Sequence, residues 1–247
     1  MANPDCANVD RPKPFYGVGW STLILPYMED GKLHDDLGDA YIWSGPGIDL
    51  GEQKIQAYVC PSDPQDELIN VGSNGSVDFD RWKTNAGGVA DSVSAWKAGQ
   101  LLQQPIRDGD GMLLNVDPVR IRDVDDGTSK TLFVGEVTGG EPGFNLDDDT
   151  CPYNEDGPHD VDGWVWVHGP LFTTAPGING PNTIPGDRTY DRCLSDEVGY
   201  SSYHPDGALF LQVDGAVRFL LQDIDPVSLA ALTTRDGGDA VSADADL

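Results

Sequence analysis

The sequence predicts a sheet-rich globular chain with a few short helices between many turns. Three observations lead there. First, glycine (30) and proline (18) are abundant in the 247 residues, which favours turns and disfavours a helical bundle. Second, six Trp, eight Tyr and seven Phe suit a packed sheet, and 38% apolar content suffices for one sizeable core. Third, Ala208–Val213 and Ala216–Leu220 are two short apolar runs separated by Asp214-Gly215. An Asp-Gly pair in that setting signals a hairpin, because a two-residue type I′ turn needs positive φ at both central positions.

The elements follow in chain order. Residues 1–18 are a polar N-terminal segment, 19–238 form a single globular domain, and 239–247 are a flexible acidic tail. A short helix covers part of Trp20–Leu37, where the apolar block Leu23–Leu25 runs into Pro26. Ile55–Val59 is a strand that ends at the turn-forming Cys60-Pro61-Ser62-Asp63-Pro64. Asn74-Gly75-Ser76 lies in a loop and matches a glycosylation sequon. Val119 and Ile121 alternate with Arg120 and Arg122 as a half-buried strand would. Asp125-Asp126-Gly127-Thr128-Ser129 is a turn or helix cap, and Thr131–Val134 is a buried strand closed by Gly135-Glu136.

Residues 139–198 are rich in Gly, Pro and Asp around a Trp164–Gly169 strand. Loops this long are functional or pinned. After the hairpin, Asp225 is the N-cap of a short C-terminal helix, Pro226 its first residue and Gly237 its stop.

The charge is extreme: 15 basic against 42 acidic residues, a net charge of −27. Such a chain repels nucleic acid and anionic lipid, and attracts cations. Calcium is the cofactor this suggests, since its hard character suits carboxylate oxygens. Its candidate ligands are Asp108 and Asp110, and the run Asp147, Asp148 and Asp149, none of which completes an EF-hand. Four cysteines, Cys6, Cys60, Cys151 and Cys193, form no C-x-x-C pair, so zinc is disfavoured. Their even count and wide spacing suit two disulfides in an oxidising compartment, with three connectivities open. Cys151–Cys193 would pin the long loop, and Cys6–Cys60 would follow.

Nine residues separate His204 from Asp214-Gly215. It is a base, a metal ligand or a hydrogen-bonded core residue. Ser201 and Ser202 precede it, yet there is no G-x-S-x-G elbow and no H-E-x-x-H. A hairpin carries Asp214 away from His204, so the spacing is architectural. His159 and His168, which flank an Asp-rich stretch, are a further conceivable metal pair.

These stretches add up to a resemblance. Residues 19–30 (GWSTLILPYMED), 58–64 (YVCPSDP), 83–91 (KTNAGGVAD), 120–136 (RIRDVDDGTSKTLFVGE), 177–181 (GINGP) and 203–225 (YHPDGALFLQVDGAVRFLLQDID) resemble, in this order, a bacterial prepilin-like family of unknown function. Its C-terminal signature is H-x9-D-G, met here by His204, Asp214 and Gly215. The family also carries a solute-binding label. The resemblance spans roughly Gly19 to Gly238. It implies an α+β, pilin- or pseudopilin-like head with an antiparallel sheet, long Gly/Pro/Asp-rich loops and a short C-terminal helix. It also implies a non-enzymatic, exported, extracellular or cell-surface protein, structural or adhesive. Its partners would be other pilin-like subunits or envelope assembly proteins, with polysaccharide a further one and nucleic acid excluded. Membrane contact would come only through an N-terminal pilin helix, which is missing from this sequence. His204, Asp214, Gly215 and Asp126-Gly127-Thr128-Ser129 are then structural signature residues, and no catalytic residue transfers. The runner-up function is an extracellular glycan- or solute-binding protein using Trp164 and Trp166. A third is a hydrolase built on His204 and Asp214.

Overall fold

The computed structural model describes residues 19–38, 46–64, 68–73, 78–92, 109–114, 118–137, 171–175, 177–179 and 200–238. The chain is mixed α+β and divides into two compact units. The described residues up to Asn85 belong to the first and those from Ala86 onward to the second. Among the described residues, no helix is long and apolar enough to cross a membrane.

In the first unit the expected single helix is broken into α1 (Trp20–Leu23), a 3-10 turn (Leu25–Met28) and α2 (Gly31–Gly38). Pro26 permits only the start of a helix, and Glu29 turns left-handed with φ 68°, so the chain must begin again at Gly31. Leu25, Leu33 and Leu37 are buried. Next come α3 (Pro46–Gly51) and a two-stranded antiparallel ribbon, β1 (Leu68–Ser73) with β2 (Asp78–Trp82).

The strand expected at Ile55–Val59 is instead a 3-10 turn over Gln56–Tyr58. Its ends, Ile55 and Val59, are extended, but Tyr58 is drawn inward and its hydroxyl donates to the Ser21 carbonyl at 2.6 Å. A tertiary anchor thus overrides the local pattern.

The second unit holds a five-stranded sheet in the order β5-β3-β4-β6-β7. Its strands are β3 (Ala86–Asp91), β4 (Leu132–Glu136), β5 (Leu171–Thr173), β6 (Gly207–Gln212) and β7 (Val217–Leu221). All pairings are antiparallel except β3 with β5.

Helix α4 (Pro226–Thr233) buries Leu229 and Leu232 and lies against β4. Asp225 caps it by accepting from the Ser228 N–H at 2.9 Å. The helix ends at Thr234, which is extended, and so before the expected stop at Gly237.

One face of the sheet is packed by aromatic rings. Tyr200 sits 4.9 Å from Phe210 and 5.9 Å from Phe172, centroid to centroid. These rings occupy the space over Gly135, where an added Cβ would meet Phe210 at 2.4 Å and Tyr200 at 2.5 Å. The glycine of Val134-Gly135-Glu136 is required for close approach of the rings.

Residues 119–122 do not form a strand. Ile121–Asp123 is a 3-10 turn, closed by the Arg120 N–H donating to Asp123 Oδ2 at 3.1 Å. Ile121 is exposed, so the alternation there buries nothing.

Candidate functional site

The β6–β7 register pairs Leu211 with Val217, and the Gln212 N–H donates to the Ala216 carbonyl at 2.8 Å. The loop is therefore three residues, Val213-Asp214-Gly215, not the two-residue type I′ turn expected. The Gly215 N–H donates to the Gln212 carbonyl at 3.0 Å, and Gly215 has φ 90° while Asp214 stays out of the positive-φ region. This is a tight turn followed by a left-handed glycine, the common three-residue solution. Asp214 Oδ1 accepts from the Ala216 N–H at 2.9 Å, so its carboxylate braces its own turn.

The hairpin tip meets the other signature segment. The Val213 and Asp214 N–H groups donate to the carbonyls of Thr131 (3.0 Å) and Thr128 (3.1 Å), and Gln212 Nε2 donates to the Ser129 carbonyl at 2.9 Å. Gly127 has φ 98° and turns the chain so that these carbonyls face the hairpin.

On its other side the turn holds the C-terminal end of α4. Asp126 Oδ2 accepts from Thr234 Oγ1 (3.1 Å) and the Gly237 N–H (2.8 Å), and its Oδ1 accepts from the Gly238 N–H (2.9 Å). Arg235 closes the knot by donating to the carbonyls of Gly109 and Gly111 at 2.6 and 2.7 Å. Asp126, Gly127, Thr128, Ser129, Asp214 and Gly215 thus form one connected brace.

His204 lies at the opposite end of β6, and the structure does not bring it to Asp214. Its Nε2 is 3.2 Å from Glu136 Oε1, with the two side chains 33% and 19% exposed. Glu136 Oε2 accepts from the Leu209 N–H at 2.7 Å, and the Glu136 carbonyl accepts from the Ser201 N–H at 3.1 Å. The His204 N–H donates to Ser202 Oγ at 2.8 Å, and the Ser202 N–H donates to Asn179 Oδ1 at 2.8 Å. In the sequence Glu136 is marked only as the residue that closes a strand, and no local spacing ties it to His204.

Cys60 carries a free thiol. Cys6, Cys151 and Cys193 lie outside the described residues, as do Asp108, Asp147, Asp148, Asp149, His159, His168, Trp164 and Trp166. Asp110 is described, and its carboxylate accepts from both the N–H and the hydroxyl of Ser92.

In the first unit, two of the quoted stretches meet. Asn85 Oδ1 accepts from the Cys60 N–H at 2.7 Å, and Asn85 Nδ2 donates to Asp63 Oδ2 at 2.6 Å. Lys83 Nζ is 3.3 Å from the same Asp63 oxygen.

The family model for a protein of unknown function (DUF1559), whose short name is SBP_bac_10, matches residues 3–227. The chain belongs to the DUF1559 family. No curated protein and no solved structure matches it. In this DUF1559 protein, the described residues of the motifs that carried the resemblance fall on the short helices, turns and strands given above. The short name of the model is compatible with a solute-binding role.

Proposed function

We propose that this DUF1559 protein is a non-enzymatic, exported assembly protein, pilin- or pseudopilin-like, displayed at the cell surface. One observation carries the reading. The outward face of the β6–β7 hairpin is apolar where a one-faced sheet normally alternates to polar. Val217 is 62% exposed, Leu221 53%, Phe219 40% and Leu209 37%. Register places Leu209 opposite Phe219, so these side chains form one patch, while Ala208, Phe210 and Leu220 fill the buried face. Contiguous exposed apolar surface of this kind marks an interaction site. An apolar sheet face can seat the apolar stripe of a helix, and a helical subunit of the envelope is the partner proposed for it.

The signature residues support the same reading. Asp126 and Asp214 spend their carboxylate oxygens on backbone N–H groups and a threonine hydroxyl, which is the work of braces. A divalent cation such as calcium, held in the aspartate-rich loops, would offset part of the −27 net charge.

A second reading, extracellular solute or glycan binding, is favoured by the short name of the matching family model. One experiment separates the two. A photocrosslinking residue at Phe219, in cells that export the chain, is expected to trap adducts with helical envelope subunits. Crosslinked species confined to monomer, together with a small molecule retained in the native mass spectrum, would replace assembly by solute binding.

A further inference from the structure

The first unit contains a buried ion pair of unusual dryness. The Lys83 side chain is 0% exposed and that of Asp63 2%, with Nζ 3.3 Å from Oδ2. Burying two charges carries a desolvation penalty that attraction alone does not reliably offset. Asn85 donates from Nδ2 to the same Asp63 oxygen at 2.6 Å. Its own oxygen is held by the Cys60 N–H, and its backbone N–H by the Tyr58 carbonyl at 2.6 Å. The carboxamide is therefore oriented from both ends, with its donor aimed at the Asp63 carboxylate.

We infer that Lys83 and Asp63 are the partners of an intramolecular amide cross-link, formed by condensation within the folded chain. The parts are a primary amine against a carboxylate, a donor fixed on one carboxylate oxygen, and burial that limits competing water. Holding the groups in contact supplies the effective concentration that an ordinary solution amidation lacks. The step balances without a co-reactant. Nζ begins as an ammonium and Asp63 as a carboxylate. One proton passes from Nζ to Oδ1, and the freed nitrogen lone pair attacks Cγ. Negative charge gathers on Oδ2, where the Asn85 N–H meets it. A second Nζ proton reaches Oδ1, the Cγ–Oδ1 bond breaks, and water leaves. The product is a neutral amide whose oxygen, Oδ2, still accepts from Asn85. Two buried charges are removed, which favours the amide over the ion pair. The bond joins the Cys60–Pro64 turn to the segment after β2, and so closes a loop around the β1–β2 ribbon. Asn85 acts here directly on the reacting carboxylate, as the donor to its charged oxygen.

The test is the mass of the folded chain after reduction and denaturation. It is expected to be one water lighter than the sequence requires. Trypsin, blocked at Lys83, should release residues 55–81 joined to residues 82–97. Lys83→Met should restore the full mass. If that variant fails to fold, Asp63→Asn serves instead: the same attack then expels ammonia, and the loss changes from water to ammonia. A wild-type chain at its full sequence mass overturns the inference. So does a water loss that maps to an Asp-Gly site, or an ammonia loss in the wild type, which would make Asn85 the acyl partner.

Discussion

Asp126 binds the end of the C-terminal helix through both carboxylate oxygens: Oδ2 takes Thr234 Oγ1 and the Gly237 N–H, and Oδ1 takes the Gly238 N–H. All three partners are donors, so the site needs an acceptor at each oxygen. Asp126→Asn places an NH2 group against at least one N–H and should destabilise the fold by about 1–3 kcal/mol, discounted for a half-exposed site. Asp126→Ala should cost a similar amount. Urea denaturation of the two variants checks this; an unchanged midpoint for both would remove Asp126 from the brace.

At the hairpin tip, the two members of the Asp-Gly pair have different jobs. Gly215 sits at φ 90° with open space where a Cβ would go, so the cost of a side chain there is backbone strain alone. Gly215→Val should lose about 1–2 kcal/mol or somewhat more, and Gly215→Asn less, because Asn tolerates the left-handed region. Asp214→Asn should be near neutral, since its amide oxygen can still accept from the Ala216 N–H. Thermal melts should rank Val as the most damaging and the Asp214 variant as the least.

The legible parts of this fold are those where local chemistry and tertiary packing agree. The β6–β7 hairpin and helix α4 are legible because the paired apolar runs, Asp-Gly and Asp-Pro each act within a few residues. Strand β3 carries little local signal, since Gly87 and Gly88 are poor strand formers. That strand exists because it pairs with β4 on one side and β5 on the other. Residues 55–59 have the apolar content of a strand and 119–122 the alternation of one, but both are held as turns by single long-range or capping contacts. The pairs His204–Glu136 and Lys83–Asp63 join positions far apart in sequence, and no spacing rule connects them. The turn type at Gly215 failed for a subtler reason: Asp-Gly serves both two- and three-residue loops, and docking on the Thr128 and Thr131 carbonyls selects the longer one.

Gly135 offers a test of the aromatic packing. A Cβ there would overlap Phe210 at 2.4 Å and Tyr200 at 2.5 Å, both ring atoms in a packed core. Gly135→Ala should cost about 1–3 kcal/mol through overpacking. Phe210→Leu alone should also destabilise, but the double variant should cost less than the sum of the two, because the smaller side chain makes room for the methyl. Simple additivity in a double-mutant cycle would show that the clash is relieved elsewhere.

Tyr200 predicts how the fold fails in alkali. The residue is buried, its hydroxyl donates to the Gly88 carbonyl at 3.2 Å, and desolvation holds the phenol well above its ordinary value of 10.0. In the unfolded chain the phenol ionises at that ordinary value. Between the two, the folded state keeps a proton that the unfolded state has released. Stability is therefore fully present below pH 10.0 and falls as pH rises from there towards the folded value, by about 1.4 kcal/mol per pH unit for this group. Phenolate absorbance followed together with circular dichroism should show Tyr200 ionising only as structure is lost. Tyr200→Phe should be less stable at neutral pH, having lost the hydrogen bond, yet its stability should fall less steeply above pH 10, by about one proton. If the variant and the wild type lose stability with the same slope, the alkaline transition arises from other groups and Tyr200 ionises without unfolding the sheet.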